Sequence, residues 1–462
     1  MKLLTPTRLG KLLLGNRVVM APMTRSRADI AGIVGEKTVR YYVQRATAGL
    51  LITEATNVSA DAVGSPMTPG IWNEAQVEGW KKVTRAVHVE GGTIVMQLWH
   101  TGRVGHSDVR GGRLPVAPSA IAIQGQKHFT PSGPKDYEVP RALTTEEVRA
   151  TVDDFESAAR KAKAAGFDGV ELHGAFGYLP HQFLADSANQ RTDAYGGSIE
   201  NRARFVLEIL ERLVGVWGEG RVGIRLSPTL AYNGMVDSDP RATFSYLIEQ
   251  LNALPLAYLH LMRATPDAER FPHWPQDTIA TFGRLFRGPL LVNGGYDRDA
   301  ADAALEAGAA QAVSFGAPFV ANPDLVHRFQ VGAPLAAGDR GTFYGGGEQG
   351  YIDYPSLRPE PTAPKGYWLV LATITDPARF GAYTALAGPT LASYGARVIA
   401  RGDVAEVVEG SVSRRPYFVE FPSFAAARAC FHSPAYQDAI ALRAGAAEFD
   451  ILIVEGTPPP MS

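Results

Sequence analysis

One cysteine, Cys430, stands in 462 residues, so no internal disulfide can form and no thiolate cluster is available for zinc or an iron–sulfur centre. That scarcity fits a reducing, cytoplasmic setting. Charge of one sign is also missing: 45 Lys and Arg face 47 Asp and Glu, for a formal net charge of −2 and no long run of either sign. Nucleic acid and anionic membrane are therefore poor partners for this chain. No stretch approaches the length of a membrane span, and the opening MKLLTPTRLGKLLLGNR breaks its apolar run at Pro6, Arg8 and Lys11 before a signal-peptide core could form. The expectation is a cytoplasmic protein acting on a small molecule. A Walker loop, a GxGxxG after a strand and a His pair at zincin spacing are absent too, which argues against P-loop, Rossmann and zinc-hydrolase readings. What remains is ordinary globular composition, 45% hydrophobic and 20% charged, with mean hydropathy −0.07.

The length suits a barrel of about 250 residues or more plus a smaller domain. Short β-rich runs alternate with helical spacing from residue 18 to about 330. They predict eight strands, at 18–23, 50–55, 93–99, 167–173, 221–227, 256–262, 289–294 and 311–316. Amphipathic segments at 74–89, 145–165, 198–216 and 298–307 carry apolar residues three or four apart and read as an outer ring of helices. Thr144 ahead of Glu146 and Glu147 reads as a helix start, and Gly166 as its stop. Residues 9–14 read as a hairpin flooring the barrel, and 101–143, rich in Gly, Pro and Ser, as a long excursion on one face. The fold expected is an α/β (β/α)8 TIM barrel.

At 355–365, PSLRPEPTAPK packs four prolines into eleven residues and reads as a stiff linker. The segment beyond it predicts a strand at 367–373, a helix at 377–394, strands near 396–399, 404–408 and 417–421, helices at 424–430 and 434–447, and a last strand at 451–454. This is a small ferredoxin-like α+β domain, so the expected division is 1–360 and 365–457.

Active sites of such barrels sit at the C-terminal ends of the strands. There the sequence places Pro22, Met23 and Thr24; Glu54 and Ala55; Gln97, Trp99 and His100; His173 and Tyr178; Arg225; Gly294 and Gly295; and Gly316 and Ala317. Taken singly, each has a plainer reading. A His after a strand is more often a structural hydrogen-bonder, a Gly-Gly pair is most simply a turn, and a strand Arg is a buried ion-pair partner. Their shared rim is what points to function. Glycines after strands seven and eight are where this fold commonly holds phosphate on backbone N–H groups, so a phosphorylated cofactor is implied. The run 189–197, by contrast, reads as a structured loop.

The motifs MAPMTRSRA (20–28), LLITEA (50–55), VMQLWHTGR (95–103), FDGVELHGAFGYL (167–179), QRTDAYGGSIENRARF (190–205), GIRLSP (223–228) and FYGGGEQGYIDYP (343–355) resemble the Old Yellow Enzyme family over about residues 2–357. The resemblance implies an FMN-containing barrel in which NADPH or NADH reduces the flavin, which then reduces an alkene conjugated to a carbonyl or nitro group. It also implies roles by position. Thr24 would bond the flavin carbonyl beside the reactive nitrogen, Gln97 the pyrimidine edge, and Arg225 the other carbonyl. Pro22, Met23 and Ala55 would approach the ring through backbone, and Gly294, Gly295 and Gly316 would supply phosphate-binding amides. Tyr178 would be the proton donor, His173 would hold the activating oxygen, and Trp99 and Tyr344 would line the substrate space.

Two positions depart from the family pattern. The family's second substrate donor, three residues after His173, is Phe176, which implies poor activation of ordinary enones and a bulky, apolar or specialised natural-product substrate. The phosphate-binding arginine after the last strand is Ala317, which implies weaker FMN binding unless another cation substitutes. These changes keep open an alternative in which the barrel is a non-redox isomerase or cyclase. The C-terminal segment, with Tyr367-Trp368, Arg401-Gly402, Phe421-Pro422 and His432-Ser433-Pro434, resembles a small uncharacterised domain family related to the dimeric α+β barrels. That resemblance implies a homo-oligomer joined through this domain. Cys430 beside His432 reads as a buried helix cysteine, not a catalyst.

Overall fold

The computed structural model describes residues 1–357, 365–402, 406–412 and 414–456. The chain divides into two compact units, Met1–Thr84 with Thr93–Leu357, and Arg85–Gly92 with Arg358–Ser462.

In the first unit, eight strands form the barrel: β1 (Val18–Met20), β2 (Leu50–Ile52), β3 (Ile94–Trp99), β4 (Gly169–Gly174), β5 (Val222–Leu226), β6 (Tyr258–Met262), β7 (Leu290–Asn293) and β8 (Ala312–Phe315). Each pairs in parallel with the next, and β8 pairs with β1, so the sheet closes. Their near-continuous apolar runs fit strands covered on both faces. All eight expected strands are present, most of them shorter at their C-terminal ends, where the chain leaves the ladder to build loops.

The ring helices include α1 (Glu74–Val89), α2 (Thr145–Ala164), α3 (Ile199–Trp217) and α4 (Arg298–Glu306). Thr144 and Glu147 form a reciprocal capping box on α2, which satisfies two otherwise orphaned donors. Strands Thr7–Leu9 and Leu12–Leu14 pair as the expected hairpin. Its Gly10 has φ +58°, and a Cβ there would lie 2.6 Å from the carbonyl oxygen of Gly220, just ahead of β5. Leu9, Leu12 and Leu14 pack with Val19, Leu50, Ile52 and Val95, closing the end of the barrel where the strands begin.

The second unit carries β9 (Gly366–Ile374), α5 (Pro377–Ser393), β10 (Arg397–Arg401), β11 (Arg415–Phe421), α6 (Phe424–Phe431), α7 (Pro434–Leu442) and β12 (Ala447–Glu455). The antiparallel order β10-β11-β9-β12 is the expected ferredoxin-like arrangement. Its core joins Trp368, Val370, Val419, Phe421, Tyr383, Tyr436 and Cys430. Cys430 is fully buried, and burial pushes its thiol up to about 12. Two expectations fail here. Glu406–Val408 form no strand, because the β10–β11 ladder ends at the Arg401–Tyr417 pair and Val408 is 88% exposed. Val404 and Ala405 lie outside the described residues, as does most of the proline-rich linker, 358–364. The helix expected at 434–447 stops at Leu442, because Gly445 turns with φ +74° and Ala447 already begins β12.

Candidate active site

The C-terminal ends of the strands converge on one cavity of about 1300 Å³. Pro22, Met23 and Thr24 follow β1, and Ala55 follows β2; Gln97 and Trp99 lie on β3, His173 on β4 and Arg225 on β5. Phe176 and Tyr178 come from the turn after β4, Gly294 and Gly295 follow β7, Gly316 and Ala317 follow β8, and Tyr344 reaches in from a later loop. These fifteen residues thus line the same space, whereas Glu54 and His100, which the sequence also places at the rim, are buried outside it, Glu54 accepting from the Arg25 N–H and His100 from the Gly102 N–H.

The catalytic candidates pack edge to face. The Tyr178 ring centroid lies 4.9 Å from that of Trp99 and 4.9 Å from that of His173. Burial, then neighbouring tyrosines, raises the Tyr178 phenol above its ordinary value, so it holds its proton at neutral pH. Burial and the nearby Arg225 hold His173 well below the ordinary imidazole range. The Ala175 N–H points at His173 Nδ1, 3.4 Å away, which leaves the single ring proton on Nε2 as a donor. Phe176 adopts φ +58°, a left-handed conformation that bulky residues rarely take. Its N–H donates to Ser227 Oγ at 3.0 Å, and its carbonyl accepts from Asn233 Nδ2 at 2.9 Å. The guanidinium carbon of Arg225 lies 4.9 Å from the Phe176 ring centroid. Burial lowers Arg225 to about 10, still cationic at neutral pH. Its Nη2 donates to Asn293 Oδ1 at 2.8 Å, while the buried Nε has no partner among the described residues. Gly294 and Gly295 turn with φ +116° and +69°, angles that favour glycine and bare the backbone.

Sequence reasoning passes over several groups. The 101–143 excursion brings Lys127, His128, Phe129 and Tyr137 to the cavity; Tyr232 and Arg340 come from other loops. Loop side chains of this kind carry no periodic signal. Asn293 and Ser314 also line the cavity, while Glu171 and His260 lie beneath it, fully buried. Here a signal exists: polar residues inside otherwise apolar, doubly covered strands need partners and mark a polar network. The run 189–197 is held as a structured loop, with Asn189 Nδ2 donating to the carbonyls of Phe183 and Tyr195. Among the described residues no group of three or more His, Cys, Asp or Glu could hold a metal ion, and no helix is long and apolar enough to cross a membrane.

The profile of the NADH:flavin oxidoreductase / NADH oxidase family matches residues 2–336. The chain belongs to this family. A putative 12-oxophytodienoate reductase 4 from Oryza sativa subsp. japonica is 45% identical over 364 residues, covering 77% of this chain and 93% of the relative. A probable flavin mononucleotide-dependent alkene reductase from Leishmania infantum is 44% identical over 362 residues, covering 77% and 97%. Among solved structures, morphinone reductase in complex with tetrahydroNAD superposes with a TM-score of 0.73 at 48% identity, covering 78% of this chain and 98% of that one. Residues 365–457 match a second family, a domain of unknown function, DUF1330. The Old Yellow Enzyme resemblance and the barrel expected from the sequence therefore hold.

Proposed function

We propose that the cavity holds FMN between the strand ends and that its residues divide the work of reducing an activated alkene. As a member of the flavin oxidoreductase family, the chain is an FMN-dependent oxidoreductase of the ene-reductase type that draws hydride from NADPH or NADH. The observation that carries the residue-level reading is the convergence of Gln97, His173, Tyr178, Arg225 and the bare Gly294–Gly295 backbone on one cavity.

The donor set fits the cofactor. Arg225 Nε, buried and unpartnered, is the kind of group an electron-rich ring edge would satisfy, and the glycine turn gives unobstructed backbone for a phosphate. When bound, FMN supplies hydride transfer in both directions, from nicotinamide and to alkene. The chain's own residues do the rest. Thr24, Gln97 and Arg225 would bond the polar edges of the ring, with Pro22, Met23 and Ala55 approaching it through backbone. Gly294, Gly295, Gly316 and Ala317 would surround the phosphate end. His173, neutral with its proton on Nε2, would donate to the substrate's carbonyl or nitro oxygen, and Tyr178 would deliver a proton from its phenolic oxygen to the substrate's α-carbon. Trp99, Tyr344 and Phe176 would shape an apolar substrate space. With Phe176 in place of a polar donor, His173 acts without a second donor from that position, which favours bulky, apolar substrates, specialised natural products among them.

The division into a barrel at 1–360 and a ferredoxin-like domain at 365–457, self-association through the latter, and residence in the cytoplasm belong to the same proposal. Support for self-association comes from the C-terminal sheet: Leu369 pairs across from Phe418 and Leu452, and Tyr367 from Val454. Phe418, Leu452 and Val454 are 40–51% exposed, an apolar face that a second copy would cover. The deciding experiment is the visible spectrum of the purified protein. A flavin spectrum that bleaches anaerobically with NADPH or NADH and returns on adding an enone is expected. A colourless protein that takes up no added FMN would overturn the redox reading and leave the isomerase or cyclase alternative.

A further inference from the structure

Beneath the cavity, a series of hydrogen bonds, which passes at Ser314 from the side chain to the backbone carbonyl, joins Gln97, assigned to the pyrimidine edge of the flavin, to Arg225, assigned to a carbonyl of the same ring. Gln97 Nε2 donates to Glu171 Oε1 at 2.7 Å. The other carboxylate oxygen, Oε2, lies 2.9 Å from His260 Nδ1, and His260 Nε2 lies 2.7 Å from Ser314 Oγ. Asn293 Nδ2 donates to the Ser314 carbonyl at 2.9 Å, and Asn293 Oδ1 accepts from Arg225 Nη2 at 2.8 Å. Glu171 and His260 are fully buried, Gln97 is 1% exposed and Ser314 2%. The strand registers hold the arrangement, with Gln97 across from Glu171, Arg225 from His260 and Asn293 from Ser314.

The chemistry of the members fixes the direction of the bonds. An ionised carboxylate only accepts, so the Gln97 amide must turn its NH2 to Glu171 and leave Oε1 for the cavity that Gln97 lines. For the same reason the His260 proton sits on Nδ1, and Nε2 accepts from the Ser314 hydroxyl. Burial holds His260 below the ordinary imidazole range, consistent with one ring proton. Were the carboxylate an amide, the Gln97 amide would no longer have a preferred orientation.

We propose that Glu171 is a positioning residue for the flavin's pyrimidine edge: it locks the Gln97 amide with its oxygen toward the ring N–H and, through His260, Ser314 and Asn293, ties that orientation to Arg225. The proposal rests on the cavity being the FMN site. Glu171 also places a negative charge behind the ring, offset by Arg225. Its loss makes electron uptake by the flavin easier, since reduction adds negative charge.

The test uses the full-length chain, with FMN dissociation measured by fluorescence titration of the apoprotein and the midpoint potential by dye equilibration. Glu171→Gln is expected to weaken FMN about tenfold, the worth of one net hydrogen bond, and to move the midpoint potential in the positive direction. Gln97→Glu combined with Glu171→Gln, which reverses donor and acceptor along the same contact, is expected to recover the affinity. Should Glu171→Gln fail to fold, the pair His260→Asn and His260→Leu reads the same link. Asn keeps a donor near Nδ1 and retains the wild-type potential, whereas Leu does not. Unchanged affinity and potential in Glu171→Gln, or identical behaviour of the two His260 variants, overturns the positioning role while leaving the FMN site intact. A wild-type chain that takes up no FMN overturns both.

Discussion

Replacing Phe176 with Asn tests whether the residue that departs from the family pattern sets the chain's substrate range. The loop should survive the change, because its backbone is held from outside: Ser227 Oγ accepts from the Phe176 N–H and Asn233 donates to its carbonyl. The left-handed φ of +58° costs an ordinary L-residue about 1–2 kcal/mol, and Asn, whose side chain can bond locally, tolerates it. Against that gain stands the lost contact between the ring and Arg225, centred 4.9 Å apart, a cation–π interaction of about 1–2 kcal/mol when desolvated. The two nearly cancel, so the melting temperature should move by no more than about 4 °C.

The catalytic effect is larger. A donor restored beside His173 contributes about 2.7–4 kcal/mol to stabilising developing negative charge on the substrate oxygen, or about 100- to 1000-fold in rate. Anaerobic stopped-flow separates the halves: reoxidation of the reduced enzyme by cyclohexenone should accelerate, and reduction by NADPH or NADH should not. If reoxidation is unchanged with FMN fully bound, the substrate oxygen is held elsewhere and the reasoning fails. A stability loss of several kcal/mol would refute the strain argument separately.

Tyr178→Phe should slow reoxidation by an enone while leaving flavin reduction nearly intact, because only the second half-reaction takes a proton; equal loss in both halves would remove Tyr178 from that role. Ala317→Arg should tighten FMN by about 10- to 150-fold, the worth of a charge-assisted contact of about 1.5–3 kcal/mol. If it does not, Arg340, which lines the same cavity, is the cation to remove next by Arg340→Ala. Buried His100 and His181 are held at about 3, below the unfolded value of about 6.5, so the unfolded chain binds the extra protons. Stability should therefore fall as pH drops from about 6.5 toward 3, and His181→Asn should flatten that slope in urea titrations. Truncation after residue 364 should leave a folded, FMN-binding barrel, and Leu452→Glu should reduce the oligomeric state of the full chain in light scattering; an insoluble barrel or an unmoved mass would count against the domain boundary or the sheet-face pairing respectively.

The barrel was legible because its physics is local. A parallel strand covered on both faces must be apolar along its length, so runs such as Leu50–Ile52 and Leu290–Asn293 announce themselves, and Gly166, Thr144 and Glu147 mark helix ends by bonds made within a few residues. Most of the rim was legible for a related reason: position after a strand end brings residues to the cavity, although Glu54 and His100 occupy such positions and are buried outside it. What stayed hidden depends on partners far away in sequence. Glu171 and His260, 89 residues apart, could be recognised as unusual in apolar strands, but not as bonded to each other. The described part of the strand expected at 404–408 failed for the opposite reason: Val407 and Val408 have strand-forming side chains, yet the β10–β11 ladder ends at the Arg401–Tyr417 pair.

The two departures fall at the outer parts of the site and not along its floor. Gln97, Arg225, Asn293 and Ser314 join Glu171 and His260 in the continuous buried chain, where a single change would leave a charged or polar neighbour unsatisfied at a cost of several kcal/mol. Phe176 and Ala317 lie where replacement is cheaper. The Phe176 backbone is pinned by Ser227 and Asn233 whatever its side chain, and Ala317 is exposed at the start of a short helix beside a cavity that also contains Arg340. The two departures thus fall at positions proposed to face the substrate oxygen and the phosphate, while the groups proposed to set the electronic environment of the ring are held by the network beneath it. A buried carboxylate and its hydrogen-bonded partners directly beneath the cavity suit a site that holds a polar ring, and this weighs toward a changed substrate over a lost redox function.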